Sequence, residues 1–254
     1  MRFILLFVLC CAVQFSHSTP GYTAEQETAA QGMSKEAAAR ALTDIEGEVI
    51  SVEPSPIPGI YQIAVKMQGQ TVPLYLDQSG SYLFSGNLIS LKDRRNLTEE
   101  QYQRLNPVAL DSIPLDDAFT LGRSDAPQKM VVFTDPGCPH CSKLHSVLKQ
   151  AVKENPELVF HIKLIPLQQH SYENTQTILC NNSLEQLEMA FAGENLPAPD
   201  CNNDRVEKNL ALAKQLGIRA TPTLILPNGL RAPGYRPLSE LLELIKANQS
   251  GTAQ

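Results

Sequence analysis

Cys138 and Cys141 stand just after a run of β-formers, Met130 to Thr134, and a Pro136-Gly137 turn. A helical pattern follows over residues 143–153. This order predicts that Cys138 sits at a helix N-terminus, where unpaired backbone N–H groups and the helix dipole favour negative charge. The thiolate is the nucleophile of disulfide exchange, and such a position favours it over the thiol. Cys141 falls one turn further along, within reach of a mixed disulfide formed at Cys138, so it can resolve that bond and release the partner. Two other chemistries use Cys-x-x-Cys. Zinc needs two further soft ligands at suitable spacing, and the chain has no second Cys-x-x-Cys. Haem attachment needs His directly after the second cysteine, where Ser142 stands. The expectation is a redox pair with no metal and no cofactor. Pro139 suits the first helical turn, where its missing N–H is not needed. His140, between the cysteines, can stabilise a Cys138 thiolate by charge or by a hydrogen bond. His145, further along the same helix, could sit near the site, but a surface position is the favoured reading and it is given no role.

The elements that must position this pair are sought in the rest of the chain. Its 254 residues allow one large domain or two ordinary ones. An apolar content of 43% is that of a chain with a buried core. A net charge of −6, with no basic stripe, argues against nucleic acid as a partner. No hydrophobic run reaches the length of a membrane span. Arg2, the apolar run Phe3 to Val13 and then Ser16-His17-Ser18 follow the order of a secretory signal peptide, with cleavage expected after Ser18. Lipid attachment at Cys10 or Cys11 is disfavoured, because Phe7, Val8 and Leu9 lack the small side chains of such a site. Export leaves Cys138, Cys141, Cys180 and Cys201, an even set that suits two disulfides.

After a polar, Ala-rich lead-in, residues 34–42 read as a short helix capped by Ser34. Four β-like segments follow, at 47–52, 59–67, 71–76 and 82–91, with turn residues between them. Such a sheet-and-helix unit is small enough to be marginal alone and is expected to pair with a second copy of itself. Thr98-Glu99-Glu100-Gln101 has the form of a capping box and starts a helix running to Pro107. Residues 96–121 are read as a partly helical linker, with packing as an ordinary core helix the alternative. From 122 onward a strand (130–134), a helix (139–155) and a second strand (158–164) form a crossover that implies parallel pairing. A polar helical stretch, 171–217, encloses Cys180 and Cys201. A strand at 223–226, a Pro227-Asn228-Gly229 turn into 230–232 and a leucine-spaced helix at 238–248 close the domain. This order is that of an α/β thioredoxin-like fold carrying a helical insertion.

At these residues the chain resembles a known family, the DsbC and DsbG disulfide isomerases of the Gram-negative periplasm. The resemblance is carried by Phe133-Thr134-Asp135 through His145, by the Cys180…Cys201 pair, by residues 215–223, and by Pro227-Asn228-Gly229 with Pro233-Gly234-Tyr235. It implies a small α+β, cystatin-like dimerisation domain (19–95), a linker (96–121) and a catalytic domain (122–254), assembled as a V-shaped homodimer whose redox sites face an open cleft. It implies Cys138 as nucleophile and Cys141 as resolving thiol. It also implies a cis Thr221-Pro222 bond beside the redox pair, with Thr221 offering backbone hydrogen bonds to an extended substrate. A structural disulfide between Cys180 and Cys201 is implied, two free thiols being the alternative. Closing that 21-residue separation would contribute roughly 3 kcal/mol in the chain-entropy account. Many thioredoxins bury an acid six residues before the first cysteine; here Val132 stands there, and Asp135 is not assigned that role.

One departure bears on function. Pro139-His140 is the dipeptide of the strongly oxidising DsbA, whereas typical DsbC proteins carry another pair, and the dipeptide tunes thiolate stability. Three readings therefore stand: a disulfide isomerase acting on misfolded exported proteins, a dithiol oxidase acting on reduced ones, and a chaperone whose cleft holds unfolded chains. The resemblance implies periplasmic localisation and a membrane-embedded reductase that resets the site.

Overall fold

Ser34 opens the first helix: its side chain accepts a hydrogen bond from the Ala37 N–H at 3.1 Å, and α1 runs Lys35–Ala41. The computed structural model describes residues 32–249, so the expected signal segment lies outside them. Strands β1 (Glu48–Pro54), β2 (Ile60–Met67), β3 (Gln70–Asp77) and β4 (Leu83–Phe84) pair in chain order, all antiparallel. One face, bearing Ile63, Val65, Leu74 and Leu76, packs on Ala38 and Leu42 of α1. Its other face is covered as well, because Ala64, Pro73 and Tyr75 are buried where α2 (Leu97–Leu105) lies over β3.

The structure corrects the sequence reading in two places here. Asn96, not Thr98, caps α2, its side chain accepting from the Glu99 N–H at 3.0 Å. The Thr98 hydroxyl is drawn instead to Tyr75 Oη at 2.5 Å and accepts from the Leu88 N–H at 2.9 Å. The fourth strand shrinks to two residues, since the turn-forming Ser85-Gly86-Asn87 ends its pairing. That leaves Tyr82, Leu83, Phe84, Ile89 and Leu91 as exposed apolar side chains on one short stretch, Leu91 at 90%.

The segment after α2 is fastened to the second unit rather than left free. The side-chain amide of Asn106 pairs with both backbone groups of Thr71, at 2.9 and 2.7 Å, while the Asn106 backbone carbonyl accepts from Arg231 at 3.1 Å. Two residues on, the Val108 N–H donates to the Gly229 carbonyl at 2.9 Å. Gly229 has φ +81°, and a Cβ there would lie 2.4 Å from the Val108 carbonyl oxygen, so backbone packs directly on backbone. Val108 and Ile113 are then buried against Val131, Phe133 and Ile225.

The second sheet has the order β5-β7-β6-β8-β9, built from β5 (Phe119–Gly122), β6 (Gln128–Thr134), β7 (Leu158–Leu164), β8 (Thr223–Ile225) and β9 (Arg231–Pro233). β6 and β7 are parallel, joined by the crossover helix α3 (Pro139–Glu154); the other pairs are antiparallel. The linker reading ended at 121, yet Phe119 already faces Ile162 in the sheet, so the sheet begins inside that stretch. α3 and α7 (Leu238–Ala247) cover the face of Met130, Val132 and Phe160, while α6 (Arg205–Gln215) and residues 108–113 cover that of Val131 and Phe133. The inserted helices α4 (Tyr172–Asn181) and α5 (Leu184–Phe191) extend the first of these cores. The buried Lys163 ammonium donates to the Pro114 carbonyl and to Asp117, whose other oxygen accepts from Asn209 at 2.7 Å, pinning the entry to β5.

Gly229→Ala tests the linker docking. A left-handed backbone and a blocked contact together should cost about 1–3 kcal/mol, read as a lower urea midpoint. An unchanged midpoint would mean that the Val108–Gly229 contact holds nothing.

Candidate active site

Thr134 ends β6, and the next residue governs the turn. Asp135 is fully buried; its Oδ1 accepts from the Gly137 N–H at 2.8 Å, and its Oδ2 from the N–H groups of Leu167 and Gln168 at 2.8 and 3.0 Å. One carboxylate thus ties the cysteine turn to the loop leaving β7. Gly137 is required by close approach: a Cβ there would meet the His170 ring at 2.7 Å and Ser171 at 2.9 Å.

Cys138 is the N-cap residue of α3, in extended conformation, with Pro139 at the first helical position. Its carbonyl accepts from the Cys141 and Ser142 N–H groups at 3.0 and 3.1 Å. The residue is 7% exposed, and its thiol donates to the Thr221 carbonyl at 3.6 Å. Thr221-Pro222 is cis, as the resemblance implied, and the Pro222 carbonyl accepts from the Gly234 N–H at 2.7 Å. His140 is exposed; the hydrogen-bond partner of the Cys138 sulfur is the Thr221 carbonyl rather than this imidazole.

Cys141 is 1% exposed, and its sulfur accepts from the Asp135 N–H at 3.4 Å and from the Thr134 hydroxyl. Burial outweighs these donors and pushes the thiol up to about 12. Cys138 and Cys141 are both unpaired, whereas Cys180 and Cys201 are joined by a disulfide with a Cα–Cα distance of 5.8 Å. That bond fastens the end of α4 to the segment before α6, and the Asn203 amide donates to the Cys201 sulfur at 2.9 Å.

Two residues depart from the sequence reading. His145 is buried, not at the surface, because α5 lies across α3 at this point: the Phe191 ring packs against it, tilted by 44° with centroids 5.2 Å apart, and Glu188 approaches Nε2 at 3.5 Å. Asp135 proves central to the turn. Its signal was in the sequence, since Asp followed by Pro-Gly after a strand marks a side chain that binds its own loop. A cleft of about 880 Å³ lies between β3, α2 and the end of α6; neither Cys138 nor Cys141 lines it.

Residues 115–249 match the family described as thioredoxin-like domain, slightly more than half of the chain. The chain belongs to that family. Residues 24–99 match the disulfide bond isomerase protein N-terminal domain, so the chain joins the two parts found in DsbC-type proteins. It is 29% identical over 197 residues to the probable thiol:disulfide interchange protein DsbC of Bordetella parapertussis, covering 76% of this chain and 67% of that one. To the Escherichia coli K12 thiol:disulfide interchange protein DsbC it is 23% identical over 214 residues, covering 80% and 83%. A disulfide interchange protein of Neisseria gonorrhoeae superposes with a TM-score of 0.46 at 27% identity, over 55% of this chain and all of that one. Among the described residues, no helix is long and apolar enough to cross a membrane.

Two outcomes follow from the geometry. Alkylation of the reduced protein at neutral pH should mark Cys138 well before Cys141, as peptide mass mapping would read; equal labelling would contradict the buried, proton-holding state of Cys141. Replacing Cys180 and Cys201 together by Ala should lower stability by roughly 3 kcal/mol in denaturant titration.

Proposed function

We propose that this chain is a periplasmic thiol:disulfide interchange enzyme that isomerises non-native disulfides in exported proteins as a homodimer. The observation that carries the reading is the inequality of two neighbouring sulfurs. Cys138 lies at the helix start against the Thr221 carbonyl, while Cys141 is sealed beneath it with its proton held. Cys138 is the nucleophile and Cys141 the resolving thiol; Thr221 and Pro222 form the rim to which an extended substrate segment pairs. Leu167, 42% exposed on the loop that Asp135 fixes, adds an apolar contact beside it.

The Cys138 thiolate attacks one sulfur of a substrate disulfide. The new bond joins substrate to Cys138, and the other substrate sulfur leaves as a thiolate. That thiolate can attack elsewhere in the substrate until a different thiolate displaces Cys138, which is isomerisation with no net electron transfer. If this stalls, Cys141 attacks Cys138, the substrate leaves reduced and the enzyme is left oxidised. A held proton on Cys141 delays this escape and so favours reshuffling. Return to the dithiol needs an electron donor, for which a membrane-embedded periplasmic reductase is the proposed partner.

Residues 19–95 serve as the dimerisation domain, 96–121 as the linker and 122–254 as the catalytic domain in this reading, with residues 1–18 removed on export. The match to the isomerase N-terminal domain supports the dimer, as does the exposed apolar stretch from Tyr82 to Leu91. The dithiol oxidase reading rests on the Pro139-His140 dipeptide, although its imidazole is exposed and the Cys138 sulfur bonds to the Thr221 carbonyl instead.

Refolding of a scrambled substrate with several disulfides separates the two readings. Cys138→Ser should abolish repair, and Cys141→Ser should accumulate mixed disulfides through Cys138. The full mature chain should run as a dimer in light scattering; a fragment beginning near residue 115 should be monomeric, keep dithiol oxidation and lose most isomerisation. Should the dimer oxidise reduced substrate yet leave scrambled substrate unrepaired, the oxidase reading wins.

A further inference from the structure

The exchange steps leave the buried imidazole of His145 unused. His145 stands one turn beyond Cys141 on α3, and residues four apart share a helix face. Cys141, Thr134 and His145, with four aliphatic side chains, line a narrow crevice between α3 and the sheet, with no room in it for a water molecule.

Resolution requires Cys141 to shed its proton, and burial strongly opposes this. Water cannot enter the space to take it. The Thr134 hydroxyl donates to the sulfur and is no base. The imidazole is the remaining polar group of the lining. On its solvent side, Nε2 lies 3.5 Å from Glu188 Oε1, to which Lys149 also donates at 2.7 Å. The Glu188 side chain is 42% exposed, so this end opens to water. Lys149 from α3 and Glu188 from α5 are the charged groups acting on the ring, and Cys141 shares the crevice with it; β6 and β7 present only Val132, Thr134 and Ile162 there. Burial, with a small push from Lys149, holds His145 below the usual histidine range against the pull of Glu188, so it is neutral and able to accept a proton at neutral pH.

We propose, resting on the interchange reading above, that His145 takes the proton of Cys141 as that thiol resolves the mixed disulfide and returns it to solvent beside Glu188. In this step the Cys141 S–H bond breaks, its proton goes to the imidazole, and the sulfur electron pair forms the Cys138–Cys141 bond. The bond from Cys138 to the substrate sulfur breaks, and its pair leaves on that sulfur, which is protonated from water. The substrate is reduced by two electrons, the enzyme dithiol is oxidised, and no further reactant is needed.

A symmetrical aromatic disulfide with a coloured thiol tests this in stopped flow, because colour is released once when Cys138 attacks and again when Cys141 resolves. His145→Asn should leave the first release within about twofold and slow the second about 100-fold at neutral pH, with added imidazole restoring part of it. In the unaltered protein the second release should fall as pH drops through the depressed His145 titration. Glu188→Gln, a change at a half-exposed position that folding tolerates, removes the pull that raises this titration and should move the fall to lower pH. A second release unchanged in His145→Asn, or both releases slowed alike, overturns the assignment. So does a fall that Glu188→Gln leaves in place. If the unaltered protein releases no colour at all, the interchange reading itself is lost, and this assignment with it.

Discussion

A single buried carboxylate holds the site together. Among the described residues Asp135 meets no basic side chain; its side chain accepts three backbone N–H groups, donors that are costly to leave unpaired in a protein interior. Those donors come from two chain segments, so the carboxylate fixes the separation between the cysteine turn and the loop after β7. The Asp135 N–H meanwhile donates to Cys141, and its carbonyl accepts from Cys138. Strand end, Cys138, Cys141 and the loop after β7 are thereby set by one residue. Deleting its side chain would leave buried backbone donors unpaired, a far larger loss than that of a surface charge.

From this knot follows the chemical asymmetry of the two thiols. The turn presents Cys138 at the start of α3, toward Thr221, and carries Cys141 beneath the helix among the side chains of β6 and β7. A symmetric pair would exchange without preference. Here Cys138 lies against the Thr221 carbonyl at the start of the helix, and Cys141 is the more deeply buried of the two, with its proton held by that burial.

The inserted helices act on the same site from the other side. α5 is laid against α3, with the Ser142 hydroxyl donating to the Phe191 carbonyl at 3.2 Å and with Glu188 placed beside His145 and Lys149. The Cys180–Cys201 bond closes the insert and so limits how far it can lift away. At the opposite end, Asn106, Val108 and Gly229 join the small sheet to the β8–β9 turn, so the two units meet through backbone hydrogen bonds as well as through a tether.

The sequence by itself determined the order of elements and pointed to Cys138 and Cys141 as the candidate pair. Strand periodicity, the Pro-Gly and Asn-Gly turns and the Ser34 cap are local signals, complete within a few residues, and the structure places elements where these fall. Two cysteines at that spacing, ahead of a helix, carry their chemistry in the same local way. Other features depend on what lies across the fold. Thr98 had the form of a cap but serves Tyr75, because a buried hydroxyl on β3 must be satisfied. A ten-residue β-like stretch kept only Leu83–Phe84 in the sheet, since pairing needs a partner strand as well as propensity. His145 reads as a surface residue on its own helix and is buried because α5, more than forty residues away, folds over it. Burial, and with it the proton affinity of a thiol or an imidazole, is a property of packing between distant segments, and only the tertiary structure decided it.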